Sequence, residues 1–121
     1  MQTRISVVLF ALLLLLTSTV WAGERGYFGF AITVDGEGAF WNPTLRSVKI
    51  EKVSPKSPAA LAGIVAGDEV LEVAGKAVAG AKGNDLKAQI EKDIGESVQV
   101  KLRHTNGDVA VVNMVAVAKT W

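Results

Sequence analysis

Few residues in this 121-residue sequence could begin catalytic chemistry. His104 is the only histidine, and there is no cysteine. One histidine cannot assemble a multi-histidine zinc site, and without cysteine there is no thiolate nucleophile and no Cys/His ligand set. A serine nucleophile would need His104 as its base, oriented by a carboxylate. Ser47, Ser54, Ser57 and Ser97 fall instead in strand, cap or turn contexts, and His104 stands at a hairpin turn, where a solvated side chain is expected. Asp68 and Glu69 follow Gly67 at a turn and read as structural. Neither a phosphate-cradling glycine loop nor paired catalytic carboxylates appear. These residues argue for a binding protein rather than an enzyme, with no metal and no cofactor.

The chain carries 13 basic and 12 acidic residues. That balance lacks the basic excess or stripe of a nucleic-acid-binding domain. At the N-terminus Arg4 precedes an apolar run from Ile5 to Leu16, broken only by Ser6, and Thr17-Ser18-Thr19 and Val20-Trp21-Ala22 follow. A positive start, a short apolar centre, and Val20 and Ala22 at −3 and −1 are the marks of an export signal cleaved after Ala22. The apolar run is shorter than the ~20 residues that span a bilayer, although an uncleaved membrane anchor is the other reading. Residues 1–22 are therefore expected to be a signal peptide and 23–121 a single domain. With no cysteine available, its hydrophobic core must hold the fold unaided.

Glycine and proline clusters divide the domain into short elements. Phe28, Phe30, Ile32 and Val34 alternate with Gly29, Ala31 and Thr33, which predicts a strand from about Tyr27 to Val34. Asp35-Gly36-Glu37-Gly38 ends it. A loop with Phe40 and Trp41 follows, closed by Asn42-Pro43, and a second strand runs from about Ser47 to Val53. Ser57 and Pro58 suit the cap and first position of a short helix that Gly63 terminates. Gly67-Asp68 turns into a strand at Glu69 to Val73, and a short strand lies near Val78. Asn84 or Asp85 is expected to cap a second helix running to about Asp93, with Leu86, Ile90 and Ile94 on one face. Val98, Val100 and Leu102 alternate in a further strand. Asn106-Gly107 signals a hairpin into a last strand from about Val109 to Val117. The order is β-β-α-β-β-α-β-β: mainly β with two short helices closing a small antiparallel β-sandwich or partly open barrel.

The stretch Val53-Ser54-Pro55-x-Ser57-Pro58-Ala59-Ala60-x-Ala62-Gly63-Ile64-x-x-Gly67-Asp68-x-Val70-Leu71-x-Val73-x-Gly75-Lys76 resembles the central signature of PDZ domains. It is most similar to the bacterial kind attached to HtrA/Deg-type and tail-specific proteases. Arg25-Gly26-Tyr27-Phe28-Gly29-Phe30 resembles the start of those domains, and Asp85-Leu86-Lys87-Ala88-Gln89-Ile90 their groove helix. The likeness covers nearly all of residues 24–118. Two features depart from it: Tyr27-Phe28-Gly29-Phe30 replaces the commonest Gly-Leu-Gly-Phe, and the segment after the first strand is long and aromatic.

The resemblance implies a free-standing module of the bacterial envelope or periplasm that captures protein C-termini or extended peptides by β-augmentation. An adaptor or regulator of envelope proteolysis is one such role. It places carboxylate-binding N–H groups in the loop Tyr27, Phe28, Gly29 and Phe30, with Arg25 either assisting through water or a plain surface charge. It places the groove along Ala31, Ile32, Leu86, Lys87 and Ile90. Ile32 and Ile90 fit core as well as groove. Lys87 either reads the third ligand residue from the end, in a register that Gly83 or Asn84 could also occupy, or is simply solvated. Phe40 and Trp41 either meet a partner, as a scaffold docked to a larger envelope or secretion assembly would, or fold back over the core. Lys119-Thr120-Trp121 has the chemistry of such a ligand, though a loose tail is the simpler reading. A monomer is expected.

Overall fold

The computed structural model describes residues 24–119; the expected export signal with its cleavage point after Ala22, and the tail residues Thr120 and Trp121, lie outside them. Alternation decides which side of the sheet meets water. Along β5 (Ser97–Arg103) Val98, Val100 and Leu102 are buried, whereas Ser97, Gln99 and Arg103 are exposed. In β2 (Thr44–Val53) Val48 and Ile50 keep the period of two, and Leu45 is buried on the same side across a register shift at Arg46. With β1 (Phe30–Glu37), β3 (Glu69–Val73), β4 (Lys76–Ala77) and β6 (Val109–Val115) these strands form one antiparallel sheet in the order β1-β2-β3-β5-β6, with β4 paired to β3. Helix α1 (Pro58–Leu61) and helix α2 (Gly83–Ile90) complete the expected element order.

One core gathers the inward residues of β2, β3, β5 and β6 with Phe28, Ala59, Ile64, Val78, Leu86 and Ala116. Burying such side chains gains ~25 cal/mol per Å² of apolar surface removed from water, which is what stabilises a domain without disulfides. Helix α1 is built as its sequence implies. The Ser57 hydroxyl accepts the Ala60 N–H at 3.2 Å, Pro58 opens the helix, and Gly63 takes φ +87° beyond its end.

Three local expectations change. The first strand begins at Phe30 rather than Tyr27, because Tyr27 pairs with Val117 and the carbonyls of Phe28 and Gly29 accept the N–H groups of Ala59 and Ser54 at 2.9 and 2.7 Å. Helix α2 starts two to three residues early, at Gly83 with Lys82 in the cap position, and stops at Ile90, short of Asp93. Neither Asn84 nor Asp85 caps it; the cap comes from afar, where Asn42 Oδ1 accepts the Asn84 N–H at 3.0 Å. Beyond Ile90 the chain is drawn into bonds with the N-terminal segment, Gly26 N–H to the Lys92 carbonyl at 2.8 Å and Ile94 N–H to the Glu24 carbonyl at 2.9 Å. Ile94 therefore leaves the helical stripe. Third, His104 is not a freely solvated turn residue. Its Nδ1 lies 2.9 Å from Oδ1 of the fully buried Asp68, whose other oxygen accepts the Val65 N–H at 3.0 Å. This pair ties the β5–β6 hairpin to the turn entering β3.

Leu102 is wholly buried and Leu61 is largely exposed. Leu102→Ala is expected to lower the free energy of unfolding by about 2–5 kcal/mol, against about 0.5 kcal/mol or less for Leu61→Ala, measured by urea denaturation.

Candidate functional site

β1 is an edge strand that keeps its apolar side chains in the open. Among the described residues it pairs with β2 only, in the register Thr33↔Lys49 and Val34↔Val48. Ile50 on β2 directs its N–H and C=O to Asp68 and Gly67, away from β1. In an antiparallel ladder the bonded side alternates, so Lys49 faces β1 and bonds Thr33, while the backbone groups of Ile32 and Val34 point to the free edge. Their side chains, 43% and 45% exposed, point along the inner face of the sheet, where a strand of this pattern normally finds a covering neighbour.

That neighbour, α2, stands off. Between it and β1 lies a cavity of about 400 Å³, lined by Phe30, Ile32 and Val34 from the strand and Leu86, Lys87 and Ile90 from the helix, with buried core residues as its floor. Its size is that of a pocket that encloses small ligands or side chains. The helix is held at both ends by the segments that flank β1. At its N-terminus the Pro43 carbonyl accepts the Gly83 N–H at 2.8 Å beside the Asn42 cap, and Lys82 Nζ donates to Thr44 Oγ1 at 3.0 Å. Past its C-terminus lie the bonds to Glu24 and Gly26 and an ion pair of 3.0 Å between Arg25 and Glu91.

At the head of the groove Gly29 adopts φ +88°. A Cβ there would collide with the Ser57 side chain, which donates to the Ser54 carbonyl at 2.7 Å. The turn is thus packed against the α1 cap. The N–H groups of Phe28 and Gly29 have no partner among the described residues, although both residues are buried. Two successive N–H groups without a partner at such a turn make a nest for an anion.

The remaining candidates fall as follows. The Phe28 ring is core, stacked 6.5 Å from that of Phe30. The Tyr27 hydroxyl donates to Ser54 Oγ at 2.8 Å. Ile32 and Ile90 both line the groove, whereas Ala31 is exposed and lies off the cavity lining: alternation turns its side chain away. Lys87 borders the groove with its amine 3.6 Å from Glu91, the carboxylate that also holds Arg25. Phe40 and Trp41 do not fold back over the core. They are 89% and 70% exposed, packed edge-to-face at 5.2 Å, and Phe40 forms part of the groove wall. Sequence reasoning missed Asn42 and Glu91; both act across long sequence separations that no local pattern marks.

A model of the PDZ domain matches residues 17–103. The chain belongs to the PDZ domain family. No curated protein matches the chain as a sequence. Among solved structures this PDZ domain is similar to the photosystem II D1 C-terminal processing protease, with TM-score 0.63, 25% identity, and coverage of 82% of this chain but 24% of that one. It is also similar to the PDZ domain of the carboxy-terminal protease from Vibrio cholerae in complex with peptide, with TM-score 0.60, 19% identity, and coverage of 82% and 99%. A third is the HtrA-type protease AlgW with decapeptide, with TM-score 0.58, 17% identity, and coverage of 80% and 30%. The chain thus spans about a quarter of the D1-processing protease and essentially the whole of the isolated Vibrio cholerae domain.

Gly38 shares the positive φ of Gly29 but has open space around it. Gly38→Ala should cost about 1–2 kcal/mol from the backbone alone. Gly29→Ala should cost more, because Ser57 and the α1 cap must also shift, and urea denaturation of the two variants checks the order.

Proposed function

We propose that this domain captures free protein C-termini, seating the terminal carboxylate on the N–H groups of Phe28 and Gly29 and adding the preceding residues as a strand to the free edge of β1. The observation that carries this reading is the pair of unpartnered N–H groups at the head of an open strand edge, beside an apolar groove. Each charge-assisted bond to a carboxylate is worth ~1.5–3 kcal/mol. Burying one large apolar side chain between Ile32, Leu86 and Ile90 adds ~2–3 kcal/mol. Loss of association entropy and ordering of the ligand oppose both, which leaves an exchangeable complex of roughly micromolar to hundreds-of-micromolar affinity. Solved relatives of the same fold carry bound peptides, the Vibrio cholerae domain and the HtrA-type protease AlgW among them.

The setting we propose is outside the cytoplasm, in a periplasm, reached by the export signal over residues 1–22. The role is that of an adaptor that presents or withholds the termini of envelope proteins from proteolysis. The exposure of Phe40 and Trp41 favours a second reading, a scaffold whose aromatic loop docks on an envelope assembly.

Peptides with free C-termini, screened by fluorescence anisotropy and repeated with amidated ends, test the first reading. Amidation should weaken binding at least about tenfold, since it removes an interaction worth more than ~1.4 kcal/mol. Ile32→Asp should weaken it similarly while leaving the fold intact. Binding that ignores amidation but falls with Trp41→Ala would favour the scaffold.

A further inference from the structure

The groove is longer than one terminal side chain needs. Its lining continues past Ile32 to Val34 and Phe40, at the end remote from Gly29. Phe40 is 89% exposed, yet its position is fixed. The Asn42 N–H donates to the Ala39 carbonyl at 3.0 Å, which closes a turn around Phe40 and Trp41. Asn42 Oδ1 accepts the Asn84 N–H at the start of α2, so the turn is tied to the helix wall. Trp41 lies off the groove lining and packs edge-to-face against the Phe40 ring at 5.2 Å. An apolar ring held in water gains free energy from any apolar group that covers it.

Strand geometry decides which ligand residue reaches that ring. In an antiparallel pair, residues directly opposite carry their side chains on the same face of the sheet. The two register shifts between β1 and β2 fall at Glu51 and Arg46, on β2, so β1 itself keeps an unbroken alternation. The count rests on the carboxylate capture proposed above, which seats the terminus at Phe28 and Gly29. With one ligand residue per strand residue, the last lies beside Phe30, the third from the end faces Ile32, and the fifth faces Val34. Their side chains enter the groove, while those of the second and fourth turn away. The fifth residue lies ~13 Å from the last and so reaches the far part of the groove. The lining is apolar but for Lys87, whose amine lies 3.6 Å from Glu91. A polar side chain entering there would lose water without gaining a partner.

We infer that Val34 and Phe40 form a subsite for an apolar side chain at the fifth residue from the ligand's C-terminus. Phe40 is the specificity-determining residue of that subsite, and Trp41 braces it. The partner therefore ends in an amphipathic strand, apolar at its last, third-from-last and fifth-from-last residues. That alternation is the pattern of a half-buried β-strand. The domain thus selects a strand end left unpaired in its own protein, rather than a single terminal side chain.

Three labelled hexapeptides test this by fluorescence anisotropy with the full chain as its host produces it. Ser-Leu-Ser-Leu-Ser-Leu and Ser-Ser-Ser-Leu-Ser-Leu differ only at the fifth residue from the end. Ser-Ser-Leu-Leu-Ser-Leu moves that leucine to the fourth. The first should bind about tenfold more tightly than either of the others. Phe40→Ala should cut that ratio to about twofold, with circular dichroism to check that the variant is folded. Each peptide is repeated with an amidated end. If amidation weakens binding but the fifth residue makes no difference, the inference is overturned while carboxylate capture stands. The same holds if the ratio survives Phe40→Ala, or if leucine at the fourth position gains as much as at the fifth. If amidation makes no difference, capture itself fails and the inference with it.

Discussion

An antiparallel sheet with an edge leaves every second N–H and C=O of that edge without a strand to bond, and this domain is organised around where those groups go. At β1 a helix runs alongside without closing on the strand. Two clamps fix its distance. Asn42 and Pro43, just after β1, bond the first turn of α2, and Glu24, Arg25 and Gly26, just before β1, bond the segment beyond its last turn. Because the strand and both clamps are one stretch of chain, the groove is held open by the elements that border it. Apolar side chains at Ile32 and Val34 remain half in water as a result, a cost the core elsewhere offsets.

The head of the groove depends on the same economy of backbone bonds. The carbonyls of Phe28 and Gly29 are used to bind α1 and Ser54, while their N–H groups have no partner among the described residues. The positive φ of Gly29 produces that split, and the contact with Ser57 makes glycine necessary twice over, for conformation and for space. The loop is thereby rigid before any ligand arrives, which reduces the ordering cost of binding. Phe40 extends the apolar wall toward the far end of the groove from a loop whose closing residues cap α2. A ligand that touched the aromatic pair would therefore also bear on the helix.

Much of this was legible in the residues. The order of strands and helices followed from period-two alternation, from Ser57-Pro58 and Gly63 around α1, and from Asn106-Gly107 at the hairpin. The resemblance carried by Val53 to Lys76 led to the fold, and with it to Gly29 and the helix face of Leu86 and Ile90. What escaped were interactions whose partners lie far apart in the chain. Nothing near Asn84 indicates that Asn42 caps it, and nothing near His104 indicates Asp68. Ile94 continues the helical spacing of Leu86 and Ile90, yet bonds to the N-terminal segment end the helix first. The resemblance places Ala31 in the groove, although alternation turns its side chain away. The open edge of β6 was hidden for another reason: a run of valines reads as core until the sheet order shows that no strand among the described residues pairs with its outer side.

The central claim is that the free edge of β1 and the turn at Gly29 receive a peptide strand and its carboxylate. Amide hydrogen exchange resolved by residue tests it most directly, with and without a saturating C-terminal peptide from the screen. In the free domain the amides of Phe28, Gly29, Ile32 and Val34 should exchange rapidly, while Val98 and Val100 are protected by the central sheet. On binding, Phe28, Gly29 and Ile32 should slow strongly and β6 should not change. Slowing confined to the loop around Phe40 and Trp41, with the β1 amides as fast as before, would contradict the account.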